Sequence, residues 1–473
     1  MKNIWHNFTA RPAPYRMQSS ESKPALYRMV VLLVSFSLVL AGCIREAAPF
    51  PTPSPMPAGK YDNLKIETTL TTAERRTIFE AAWQKVNELF HDPDFGGKDW
   101  QAIGDEYRKK LPEVQDDHTF WFELMNPMLF ELGVSHIGAF PAELSNQLSA
   151  ESFARASLGM DVRQLDGVPV ITRVLAGSPA EQAGLRPGYV ITAVDGMTQE
   201  DFAAVNINMP PYNERHQRAR AVVSIRSAFY GEVGAEVVIE YLDASDQLQK
   251  ATMQFAPRSN LSCGHLDPAL PQACAELEVR RLDNGIGYLR LSGFLEPVLE
   301  GMLKAIEDLH DAPVLIIDLR GNIGGVFPVR KAIASQLVGD PKLFMRYEGR
   351  DGAIEAYLDA VSNPYSGEVL ILVDETSVSS SEEFTGSLQA IGRATVIGSQ
   401  TPGNCLVATI EILPNEAILM VPYRQSVTPD GRILEDNGVV PEIEIELDRQ
   451  QLLQGFDAQL EAAIEYAVEQ IRE

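Results

Sequence analysis

The stretch APVLIIDLRGNIGG, residues 312–325, sets the architecture of the carboxyl-terminal half of this chain. Val314 to Ile317 are aliphatic without the alternation of a half-exposed strand. So short a run between Pro313 and a glycine-rich turn reads as a strand covered on both faces. Such strands build α/β cores with a mainly parallel sheet, and ligands meet those sheets at the carboxyl ends of the strands. The turn itself, DLRGNIGG (318–325), holds the adjacent pair Gly324-Gly325. There backbone N–H groups can approach a ligand with no side chain in the way, which suits an oxyanion hole. Taken alone it reads first as a tight loop.

The same pattern repeats on either side. IGYLRLSGF (286–294) predicts a strand, VLEGMLKAIEDLH (298–310) a helix, and VLILVD (369–374) and RATVIGS (393–399) further strands. Residues 275–447 therefore predict an α/β core, and DAQLEAAIEYAVEQIR (457–472) an amphipathic helix within the closing segment 448–473. Directly behind VLILV stands DETSVSSSEEFTG (374–386), rich in serine. At a strand-to-helix junction an attacking hydroxyl is exposed, and the N–H groups after it point outward.

Upstream, TTAERRTIFEAAWQKVNELF (71–90) has a Thr/Glu helix-start signal and apolar residues at helical spacing. DWQAIGDEYRKKL (99–111) and HTFWFELMNPMLFEL (118–132) predict two more helices. Residues 61–150 thus form a helical region that carries VSHIGAF (134–140), with Ser135 and His136 at its centre. Residues 151–257 contain SLGM (157–160) and GSPAEQAGLRPGYVITAVDG (177–196), and this segment resembles a PDZ domain with a polar, helical insertion around 198–230. The resemblance puts Leu158, Gly159 and Met160 in the carboxylate-binding loop and implies an extended polypeptide ligand. Residues 258–274 connect it to the core.

Together the two turns resemble the C-terminal processing, or tail-specific, serine peptidases, whose cores carry a DLRxNxGG-like turn and an S-x-S-x-S-E segment. The resemblance covers most of the chain, to the ending GVVPEIEI (438–445). It implies a core of the crotonase-like or ClpP-like type and peptide hydrolysis with neither a metal nor an organic cofactor. On Ser377-Val378-Ser379-Ser380-Ser381-Glu382 it puts the nucleophile at Ser379, with backbone N–H groups of Ser380 and of Gly324 or Gly325 around the oxyanion. The family's usual lysine partner falls on Asn404, in Thr401-Pro402-Gly403-Asn404-Cys405, and no lysine follows Lys342. A neutral amide cannot take the serine proton.

A branch resembling the tricorn protease core uses instead a Ser-His pair near the start of the domain and a glutamate just before a GVxP turn. Ser135-His136 and Glu435, in ILEDNGVVPEIEI (433–445), match those pieces. His136 is then the expected base, oriented and polarised by Ser135 and Glu435 directly or by relay. No histidine follows His310, which excludes a downstream histidine base.

Bulk properties bound the rest. A chain of 473 residues that is 45% hydrophobic predicts two or three folded domains. Its formal charge of -25 argues against a nucleic-acid partner, whose phosphates need clustered cations. MVVLLVSFSLVL (29–40), preceded by Arg16, Lys23 and Arg28 and closed by LAGC (40–43), resembles a bacterial lipobox. Residues 1–42 are therefore expected as a signal peptide, Cys43 as a lipidated N-terminus, and the Pro-rich 43–60 as an extended tether. That setting is extracytoplasmic, with a soluble body held at a membrane. There Cys263 and Cys274 are expected to form a disulfide rather than a metal site, and Cys405 to be a buried free thiol. The reading that results is a lipid-anchored serine endopeptidase acting on unstructured polypeptides. Its rivals are a catalytically inactive peptide- or ligand-binding protein on the same scaffold, and an esterase for small acyl substrates.

Overall fold

A computed structural model describes residues 69–141, 155–205, 214–259, 261–265 and 272–472. Cys43, the expected signal peptide and the proline tether lie outside them. Helix α1 (Thr72–Leu89) starts on a capping box, in which Thr71 N–H donates to the Glu74 carboxylate at 2.7 Å and Glu74 N–H donates back to Thr71 Oγ1 at 3.3 Å. Helix α2 (Trp100–Lys110) follows. The third expected helix is instead a π-helical turn, Thr119–Met125, running into a short α-helix, Asn126–Phe130. Pro127 is the physical reason, since it has no N–H for the helix ladder and its ring crowds the preceding turn. Asn126 N–H reaches five residues back, to Trp121 O.

The chain then enters β1 (Gly138–Phe140). The PDZ-like region is an antiparallel sheet in the order β2 (Met160–Leu165), β3 (Val168–Val174), β4 (Val190–Val194), β5 (Glu236–Leu242), β6 (Leu248–Gln254). Ser178 caps the short helix Pro179–Gln182 through Glu181 N–H at 3.2 Å. The insertion holds a longer helix, α3 (Glu214–Ser227). Val162, Ile171, Ile191, Phe229 and Ile239 form the core between them.

The carboxyl-terminal half is built on a seven-stranded sheet. It begins with the antiparallel strands β7 (Leu261–His265) and β8 (Gln272–Arg281), where Cys263 and Cys274 stand opposite each other and are disulfide-bonded. It continues through β9 (Gly287–Leu291), β10 (Val314–Asp318), β11 (Glu368–Val373), β12 (Thr395–Gly398) and β13 (Ile443–Glu444), each parallel to the next. Every residue of β10 is buried, as its unbroken apolar run predicts. Helices α4 (Glu296–Asp308), α5 (Phe327–Val338) and α6 (Ser380–Ala390) cover one face. Helix α7 (Ala458–Arg472) covers the other with Ala463 and Ala467. Each fully buried aliphatic side chain here contributes roughly 1.5–3 kcal/mol, so Ile317→Ala would cost about 2–5 kcal/mol.

A second, five-stranded sheet has no counterpart in the sequence reading. Its long central strand, Ile418–Val427, pairs antiparallel with β1, with Leu343–Gly349 and with Leu406–Ile412. Pro422 within that strand argues against a central position. A register shift between Val407 and Ala408 leaves Tyr423 without an opposite residue, and that irregularity accommodates the proline. Gly138 stands opposite Met420, which brings the segment after the first helices onto the core.

Candidate active site

The serine turn lies at the carboxyl end of β11 and the glycine turn at the carboxyl end of β10, its parallel neighbour. Buried Ser377 donates to Leu319 O at 2.8 Å, Val378 N–H to Asn322 O at 3.0 Å, and Gly321 N–H to Asp374 at 3.2 Å. Of the serines in the quoted motif, Ser377 is thus a stitch between turns. Burial alone would raise the Asp374 carboxyl, but the Arg163 guanidinium and the Thr376 donors hold it low. Asp318, the first residue of the glycine turn, is likewise fully buried and held down by Arg320 and Arg290.

Ser379 sits at φ 57°, ψ −121°, a conformation that side-chain-bearing residues rarely adopt. A sharp strand-to-helix turn of this kind exposes a nucleophilic hydroxyl. Its N–H donates to Asn404 O at 2.9 Å and to Glu382 at 3.1 Å, and its carbonyl accepts from Glu383 N–H at 3.0 Å. Glu382 is fully buried, and it also accepts from Thr401 Oγ1 at 2.6 Å, Gly403 N–H at 2.7 Å and Asn404 N–H at 2.9 Å. Burial pushes this carboxyl up to about 7 despite those donors. Sequence reasoning quoted Glu382 only as a motif letter; its position three residues into the helix, where a carboxylate reaches back to the preceding N–H, was the available signal.

Ser135 and His136 form the second arm. Ser135 N–H donates to Glu435 Oε1 at 2.7 Å, Ser135 Oγ donates to Glu435 Oε2 at 2.9 Å, and the same hydroxyl lies 2.8 Å from His136 Nδ1. A hydroxyl has one proton. With that proton given to the carboxylate, Ser135 Oγ accepts from Nδ1–H, which fixes the tautomer and leaves Nε2 with a lone pair. Burial pushes His136 down to about 4, so the ring is neutral at pH 7. Burial raises Glu435 to about 7, opposed by the Cys405 and Ser135 donors.

The two arms meet through residues 403–405. Asn404 O holds Ser379 N–H, and Cys405 N–H donates to Glu435 Oε2 at 2.8 Å. Cys405 is buried, with Sγ 3.8 Å from Ser379 O, and burial pushes its thiol up. Asn404, at the lysine position, contributes both its backbone groups. Among the described residues Ser379 Oγ and His136 are not hydrogen bonded directly, and in free enzymes such contacts commonly tighten only with substrate.

Of the two candidate glycines, Gly324 N–H is engaged by Asn322 Oδ1 at 2.8 Å. A Cβ on Gly324 would come 2.8 Å from Ser379 Cβ and 3.0 Å from Ser380 N. Phe294 N–H donates to Gly324 O at 2.7 Å and Val326 N–H to Phe294 O at 2.8 Å, and between them Gly325 N–H has no acceptor among the described residues. Ser380 N–H, at the start of α6, likewise has no acceptor among the described residues. The available pair is therefore Ser380 and Gly325.

Leu158, Gly159 and Met160 have no hydrogen bond to the serine turn among the described residues. Leu158 N–H donates to Phe229 O at 2.9 Å, and Gly159, at φ +73°, packs so closely that a Cβ would lie 2.3 Å from Ser178 Cβ. The inserted helix α3 does reach the site, since Arg215 donates to Asp436 O at 2.5 Å, next to Glu435.

Comparison with known proteins accords with this geometry. Residues 285–445 match the model of peptidase family S41, residues 71–130 the tricorn protease C1 domain and residues 170–205 a PDZ domain. The core thus resembles the peptidase domain of family S41. The chain is a serine-type peptidase, and the relatives it matches include proteins named for carboxyl-terminal processing. The carboxyl-terminal-processing protease of Synechocystis sp. is 24% identical over 408 residues, 84% of this chain and 88% of that one. The chloroplastic C-terminal processing peptidase of Tetradesmus obliquus is 25% identical over 379 residues, 78% of this chain and 77% of that one. Among solved structures, the photosystem II D1 C-terminal processing protease shares the fold with a TM-score of 0.54 at 20% identity, covering 81% of this chain and 97% of that chain. Mature CPAF does so with a TM-score of 0.55 at 13% identity, covering 84% and 97%.

Proposed function

We propose that this serine peptidase is an exported, membrane-tethered endopeptidase of the S41 type that cleaves unstructured polypeptides, with Ser379 as nucleophile and His136 as general base. The observation that carries the reading is the Ser135 hydroxyl between His136 Nδ1 and Glu435, because it presents Nε2 as a proton acceptor where the family's lysine position holds Asn404. Nε2 takes the Ser379 proton as Oγ attacks the scissile carbonyl. The carbonyl electron pair moves onto oxygen and is held by the N–H groups of Ser380 and Gly325. Collapse breaks the C–N bond, His136 returns the proton to the leaving amine, and water then hydrolyses the acyl-enzyme by the same route.

Export and tethering rest on LAGC and the proline-rich segment behind it. In this division of labour residues 151–257, the PDZ-like module, recruit the polypeptide, and residues 61–150 and 275–447 supply the chemistry. A processing role on carboxyl-terminal tails follows the relatives named above. The deciding experiment incubates an unfolded protein mixture with wild-type and Ser379→Ala enzyme, identifies new termini by mass spectrometry, and labels Ser379 with a fluorophosphonate. No Ser379-dependent termini and no labelling would return the protein to the inactive-binder reading. Cleavage of small esters alone would return it to the esterase. For the tether, Cys43→Ala is expected to move the protein out of the membrane fraction or to block its maturation, and unchanged retention of that variant with an uncut N-terminus in wild type overturns it.

A further inference from the structure

We propose that the Ser380 side chain, apart from its backbone N–H, is a positioning group that sets the width of the oxyanion hole, and that Arg330 holds it in place. The inference rests on the nucleophile reading above. Ser380 is buried, its Oγ donates to Gly325 O at 2.6 Å, and the same oxygen accepts from Arg330 at 2.6 Å. One hydroxyl therefore ties the start of α6, which carries one oxyanion donor, to Gly325, which carries the other.

Only a residue without a Cβ fits at position 325. It lies at φ +145°, and a Cβ there would come 2.2 Å from Phe294 O. Its turn is pinned by the two Phe294 bonds described above, and Ser380 Oγ is the pin on the Gly325 carbonyl itself. Arg330 is itself fixed. It is 3% exposed, ion-paired with Glu383, which accepts from Ser426, and it donates to Tyr347 Oη at 2.7 Å. A guanidinium held by both Glu383 and Tyr347 is a rigid anchor for the hydroxyl. Oxyanion stabilisation depends on donors placed in advance at hydrogen-bond distance from where the charge develops. A strut that fixes their separation therefore acts on the transition state and not on the bound ground state.

Ser380→Ala keeps both N–H donors and removes only the strut. With a fluorogenic peptide, kcat is expected to fall about ten- to a hundredfold with KM unchanged. Affinity for a peptide aldehyde, whose hemiacetal oxygen fills the hole, is expected to fall by the same factor. The matching peptide alcohol, which forms no such oxygen, is expected to bind as it does to wild type. Arg330→Lys is expected to give a smaller loss of the same kind, and the double variant no more loss than Ser380→Ala alone. Wild-type kcat and aldehyde affinity in folded Ser380→Ala protein overturn the proposal. So do equal losses for aldehyde and alcohol, or additive losses in the double variant. If Ser380→Ala does not fold, the aldehyde-to-alcohol ratio of Arg330→Lys decides the matter. Fluorophosphonate labelling of wild type separates the two levels. Absence of label at Ser379 removes the nucleophile reading and the strut with it, whereas a labelled wild type beside an unimpaired Ser380→Ala removes only the strut.

Discussion

In the proposed mechanism the serine turn and the Ser135–His136–Glu435 relay serve one site by opposite routes. The turn is assembled from the ends of neighbouring parallel strands, β10 and β11, and the backbone bonds that place Ser379 run to the adjacent loops and residues 401–404, while Arg163 and Arg330 buttress Asp374 and Ser380 from outside. The relay joins residues 300 positions apart, and it exists because β1 pairs with Ile418–Val427. Chemistry set by a strand end survives wherever the sheet forms. Chemistry set by a distant pairing depends on every contact that docks the first helices on the core.

The largest effects test the chemistry that both arms share. Ser379→Ala and His136→Asn are each expected to lower kcat by on the order of 10⁶, and the double variant no further, because the pair acts as a unit. Asn404→Lys on the His136→Asn background is expected to restore nothing, measured as peptide turnover. Restoration would show that the turn can work without the relay.

Glu435→Gln is expected to cost about 10²–10⁴ in kcat, less than loss of the base, since it supports the imidazolium through Ser135. Its pH profile sharpens the comparison. In the proposed mechanism the productive form has His136 neutral and Glu435 ionised, so wild-type acylation is expected to rise with pH through a limb near 7, with His136 protonating only near 4. Glu435→Gln is expected to remove the upper limb. A wild-type limb near 6.5 that survives Glu435→Gln would mean that His136 is not held down by burial.

The same shifts bear on stability with opposite signs. Glu435 and Glu382 bind protons more tightly when folded, so their contribution is full below about 4.5 and is lost as pH rises through 7. His136 binds its proton less tightly when folded, so its contribution is lost as pH falls from 6.5 to 4. Between pH 5 and 8, Glu382→Gln protein is expected to show a flatter dependence of Tm on pH than wild type.

Two smaller effects lie at the periphery. Cys263→Ser with Cys274→Ser is expected to lower stability by roughly 2–3 kcal/mol, read by denaturant unfolding, with the hydrolysis rate per folded molecule unchanged. Arg215→Ala is expected to lower kcat about two- to fivefold by releasing the Asp436 turn from helix α3, a loss the size of one hydrogen bond. No change would mean that the PDZ insertion rests on the relay without supporting it.

The alternation of apolar runs and helical spacings along residues 286–399 suffices for a parallel α/β core, because strand burial on two faces leaves an unbroken aliphatic signature such as VLII. The serine turn was legible for the same reason, as a polar segment directly behind a buried strand. Ser135, His136 and Glu435 were legible only as types in matching motifs. Their order, carboxylate to hydroxyl to imidazole, depends on distances that side chains 300 positions apart acquire only on folding. The choice of Gly325 over Gly324 depended on Asn322 turning its side-chain oxygen back to one backbone N–H, which no residue pattern encodes. The second sheet escaped because Pro422 masks a central strand whose register shift appears only once its partners are in place. Local periodicity is written residue by residue, whereas hydrogen-bond partners across sheets are settled by packing, where buried donors take the acceptors that the fold brings within reach.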